Sequence, residues 1–75
     1  MAKHHIADHT GHTTIEFDPL NTVQLDEAMA RFKALTAGRG GVAAVRKAGE
    51  TEYTAVKAFD PTADETLFLP HDVGG

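Results

Sequence analysis

One helical stripe, set among segments that all read as strand, restricts this chain to a single helix laid on a single sheet. From Thr22 to Ala37 the apolar residues fall at Leu25, Ala28, Met29, Phe32 and Leu35. Spacings of three and four put them on one side of a helix. Asn21 stands at the N-cap position, with Gln24 three residues on to complete a capping box. Asp26 and Glu27 precede Arg31 and Lys33, the order that the helix dipole favours. Gly38 supplies the stop.

The flanking segments alternate with the period of a strand. His12–Phe17 places Ile15 and Phe17 on one face and Thr14 and Glu16 on the other. Lys3–Ala7 reads as its weaker hairpin partner across Asp8-His9-Thr10-Gly11, an edge or frayed strand anchored by Ile6 alone. Past Gly40-Gly41, Val42–Lys47 and Glu52–Phe59 form a second hairpin about a turn at Ala48-Gly49-Glu50. Asp60-Pro61-Thr62-Ala63-Asp64 breaks that arm, and Thr66–Leu69 is a short apolar strand suited to a sheet interior. The order is β-β-α-β-β-β. The economical packing is α+β, one helix across a mixed sheet of four or five strands.

At 75 residues without cysteine, the chain forms one domain whose stability rests on a thin apolar core rather than on disulfides or a thiolate zinc site. Residues 1–69 are expected to form the domain and residues 70–75 a slender flexible tail. A net charge of −4 argues against nucleic acid and anionic membranes as partners, since both need a basic face. No apolar run approaches the roughly 18–20 residues that cross a bilayer, and Met1-Ala2-Lys3-His4-His5 is too polar for a signal peptide. These features lead to the expectation of a cytoplasmic protein, or one carried in a virion.

The last twelve residues, Asp64-Glu65-Thr66-Leu67-Phe68-Leu69-Pro70-His71-Asp72-Val73-Gly74-Gly75, together with the element order, resemble the β-grasp proteins of the ubiquitin-like superfamily. The likeness is nearest to the sulfur carriers typified by the small subunit of molybdopterin synthase. Those carriers commonly end in Asp-Glu, four mainly apolar residues, Pro, three residues and Gly-Gly. Thr14–Leu25, where a strand ends in an acidic residue and Pro before the helix, is a looser match. Two positions depart from the pattern: Lys3–Ala7 is more polar than their first strand, and His71 stands where a second Pro is frequent. A weaker likeness, in the Phe-Asp-Pro and Pro…Gly-Gly segments, is to uncharacterised small proteins of phages and mobile elements.

The first resemblance implies a carrier or modifier, not itself an enzyme, whose terminal carboxylate is adenylated by a partner. Gly75 would be the acyl donor and Gly74 its slim neighbour, both lacking side chains that would block a narrow channel. Pro70 would end strand pairing, while Val73 and Leu69 would contact the activating enzyme. Tyr53, on a hairpin arm, is a further interface candidate. The alternative is a small structural or accessory protein of a virion or mobile element that docks through sheet edges.

Other constellations carry less. His4, His5, His9 and His12 crowd the amino end, but adjacent strand residues face opposite sides, and solvated surface positions are expected for them rather than a metal site. His71-Asp72 lacks the formed pocket that acid–base chemistry requires. Gly38-Arg39-Gly40-Gly41 follows a helix, whereas phosphate-cradling loops precede one. Phe32, Phe59 and Phe68 are assigned to the core, and no cofactor is called for.

Overall fold

The structure, a computed structural model, describes residues 1–8, 11–37 and 41–70. Its elements are β1 (Ala2–Asp8), β2 (Gly11–Phe17), α1 (Thr22–Thr36), β3 (Gly41–Arg46), β4 (Thr54–Val56) and β5 (Glu65–Pro70). The strands form one five-stranded sheet in the order β2-β1-β5-β3-β4. β1 and β5 run parallel, and every other neighbouring pair is antiparallel. A helix across one face of such a sheet is a β-grasp-like topology, as expected from the element order.

The registers sort the side chains onto two faces. Ala2 lies opposite Phe17, His4 opposite Thr66 and Ile6 opposite Phe68, and Phe68 opposite Ala43. This set faces α1. The stripe predicted for the helix meets it: Ala28 and Phe32 are buried, with Leu25 and Leu35 partly buried against the same core. One buried cluster joins Ala2, Phe17 and Ala28, and a second joins Phe32, Ala43 and Phe68, with Phe59 packed on both. Phe32 meets Phe59 and Phe68 edge-on at centroid separations of 5.8 and 5.7 Å, an arrangement that aligns ring edges with ring faces.

Two expectations about strands are corrected. β1 is neither an edge nor frayed, because β2 pairs with one side of it and β5 with the other. Its anchors are Ala2 and His4, both buried, as well as Ile6. β4 spans only Thr54–Val56 rather than Glu52–Phe59. Val56 lies opposite the buried Ala43, so strict alternation would put Phe59, three residues on, on the open face. Leaving the sheet after Val56 lets Phe59 turn into the core instead.

Local chemistry fixes the ends. Asn21 Oδ1 accepts the Gln24 amide at 3.1 Å, the expected N-cap. Gln24 Oε1 does not complete the reciprocal half of the box: it accepts from the Asp18 amide at 2.7 Å and so ties the helix to the end of β2. The turn after β3 closes with the Glu50 amide donating to Lys47 O at 3.0 Å. Gly49 has φ 87° there, the left-handed position that a type II turn reserves for glycine. Asp60 Oδ1 accepts from the amide and hydroxyl of Thr62 at 2.9 and 2.6 Å, and these bonds hold its carboxyl below the ordinary range. Gly38, expected to stop the helix, lies outside the described residues.

Candidate functional site

The sheet face away from α1 has a polar end and an apolar end. At the polar end, where β5 begins, Glu65 meets two side chains, His5 and Arg46. Its Oε1 is 2.7 Å from His5 Nε2, and its other oxygen pairs with the Arg46 guanidinium. His5 Nδ1 contacts Thr14 Oγ1 at 3.1 Å, and the His5 ring stacks on His12 with centroids 5.6 Å apart. At the far end of β5, Val42 and Leu69 lie opposite each other, 47% and 44% exposed. Two neighbouring aliphatic side chains left that open, on a sheet whose other face holds the core, make a small exposed apolar patch.

The end of β5 is held in place by a close backbone approach. Gly41 lies opposite Pro70. A Cβ built on Gly41 would sit 2.6 Å from Leu69 O and 3.1 Å from Leu35 O, closer than carbon and carbonyl oxygen pack. Glycine therefore lets the last turn of α1, the start of β3 and the end of β5 converge. Pairing continues through Pro70, one residue further than the expected strand. Pro70 is exposed and has no N–H to donate, which suits the last paired position of a strand.

Of the residues singled out from the sequence, Leu69 and Pro70 lie together at this exit. Tyr53 is 39% exposed but precedes β4, whose Thr54 lies opposite Val45. Val45 is three residues along β3 from Val42, so Tyr53 is set off from the patch by at least about 10 Å along the strand direction. Val73, Gly74 and Gly75 lie outside the described residues, as do His9, His71 and Asp72. Val42 was not foreseen. The available signal was its outward alternation beside the inward Ala43 and Val45.

The amino-terminal histidines divide as strand alternation requires, His4 beneath the helix and His5 on the open face. The expectation that all are solvated fails at His4, which is completely buried. Its ring meets Phe17, Phe59 and Phe68 edge-on, with centroids 4.8, 6.2 and 5.0 Å away. Arg31 Nη1 lies 3.0 Å from His4 Nδ1. A guanidinium only donates, so Nδ1 accepts and the ring proton sits on Nε2, which finds no hydrogen-bond partner among the described residues. Burial first, then the positive charges of Arg31 and His5, push His4 down to about 4. It is a neutral core residue at pH 7. Among the described residues no three His, Cys, Asp or Glu side chains come together in a way that would hold a metal ion.

No protein-family model, no curated protein and no solved structure matches the chain, so the reading of the site rests on its own geometry.

Proposed function

We propose that this chain is a ubiquitin-like carrier or modifier that docks on an adenylating enzyme through the open face of its sheet and presents Gly75 for acyl transfer. The observation that supports this is the setting of β5. The strand leading to residues 71–75 is interior to the sheet, paired with β1 and β3, and it ends beside the exposed Val42–Leu69 pair. A partner gripping that pair holds a fixed point only a few residues from the reacting group. Positioning of this kind removes much of the entropic cost of bringing a carboxylate to ATP.

The chemistry balances simply. A carboxylate oxygen of Gly75 attacks the α-phosphorus of ATP, and pyrophosphate leaves. The resulting acyl-adenylate is attacked by a sulfur or amine nucleophile, and AMP leaves. In this reading the chain contributes a docking face and the acyl group.

ATP–pyrophosphate exchange with a ubiquitin-activating-type enzyme tests this reading. The full chain supports exchange, deletion of Gly75 abolishes it, and Leu69→Asp weakens it at least tenfold by placing a charge in the apolar contact. Far-UV circular dichroism of both variants matches the parent. Equal exchange by the Gly75 deletion defeats the proposal. A terminus that never reacts, joined with self-assembly through the open face, favours the virion-accessory alternative.

A further inference from the structure

A second surface lies on the helix side of the sheet and meets the first at Val42, which also lines it; it does not rest on that reading. Between α1 and the chain leaving β4 lies a cavity of about 490 Å³, floored by Met29, Phe32 and Phe59. A second, of about 440 Å³, continues it over Ala43 and Val56. Thr36 and Lys57 line both, so the two form one elongated trough along β4. Its floor is the open flank of the core cluster around Phe32.

Three features narrow the occupant. The two half-open cavities join at Thr36 and Lys57 and together run from Leu25 and Pro61 to Gly41 and Val42, a shape suited to an extended chain. Beside it, β4 is the terminal strand of the sheet, and among the described residues no backbone hydrogen bond reaches it except from β3. An unpaired strand edge is a template for another strand. Finally, the only charged residues lining the trough are Lys33 and Lys57. Neither is paired with a carboxylate among the described residues, on a chain whose net charge is −4. A local cationic rim around an apolar floor selects for an anionic, apolar partner.

We propose that this trough binds an extended acidic–apolar segment of a partner protein. The segment adds as a strand to the outer edge of β4, seats aliphatic side chains on Met29, Phe32 and Phe59, and brings carboxylates to Lys33 and Lys57. Main-chain pairing provides sequence-tolerant affinity, and the trough with its two lysines provides the selection.

Two synthetic probes test this against the ¹⁵N-labelled full chain: a hexapeptide of four aliphatic residues flanked by aspartates, and the same core flanked by lysines. The aspartate probe is expected to bind at least roughly tenfold more tightly, with amide shifts at Met29, Lys33, Ala55, Lys57 and Phe59. The double variant Lys33→Glu/Lys57→Glu changes only exposed side chains and is expected to reverse the preference. Equal affinity for the two probes, saturable shifts confined to Leu67 and Leu69, or no saturable binding of either probe overturns the proposal. Dodecanoate filling the trough while both peptides fail also overturns it and assigns the trough to a small amphiphile.

Discussion

Lowering the pH from 7 to 5 should cost this fold about 2 kcal/mol through His4 alone. The ring is completely buried and held at about 4, against an ordinary value of 6.5. The native state therefore resists a proton that the unfolded chain accepts readily. Because the native value is the lower of the two, the stabilisation is complete above about 6.5 and drains away as pH falls toward about 4. The whole window is worth about 3 kcal/mol, and roughly 2 of that is gone by pH 5. For a small domain whose total stability is on the order of 5–10 kcal/mol, that is a large share.

The groups acting on His4 are Arg31 from α1 and its own neighbour His5; the rings of Phe17, Phe59 and Phe68 enclose the rest. Every other titratable side chain is common to the parent and to variants at His4. The decisive quantity is thus the difference between the parent and a non-titrating variant. Urea unfolding at pH 7, 6 and 5, followed by circular dichroism, should show the parent midpoint falling by about 1–2 M across the range. His4→Leu and His4→Gln should each remove that fall, whatever their stability at pH 7. If the parent and both variants lose the same stability between pH 7 and 5, the account of His4 as a buried neutral base is wrong.

Two further substitutions probe the framework. Gly41→Ala drives a methyl against Leu69 O and Leu35 O. The resulting strain of about 1–3 kcal/mol outweighs the usual gain from replacing glycine, and the melting temperature should drop by at least about 5 °C; an unchanged melting temperature would refute the close approach. Asn21→Ala removes the acceptor for the Gln24 amide and should cost about 1 kcal/mol in chemical denaturation, with Asn21→Asp retaining most of it.

Much of the architecture was legible because it is written in local periodicity. The stripe Leu25, Ala28, Met29, Phe32 and Leu35 admits one solution, and Asn21 marks where it starts. The turn about Gly49 needs a left-handed residue, and glycine is there. Leu69 and Pro70 were recognisable as the exit of the last strand, since an apolar run ending in proline has few other uses.

What sequence could not settle were the outcomes that depend on distant partners. Lys3-His4-His5 looks like a solvated edge until Phe17, Phe59, Phe68 and Arg31 close around one of its imidazoles, and no local pattern announces that Arg31 will supply the hydrogen bond. Phe59 continued an apparent strand, yet the core claimed it, because alternation would have stranded it on the open face. The trough beside β4 arises only from the space left between α1 and that departing chain. Residue spacing determines elements because it acts within a few residues; burial, protonation and grooves are decided by which elements the tertiary fold brings within a few ångströms of each other.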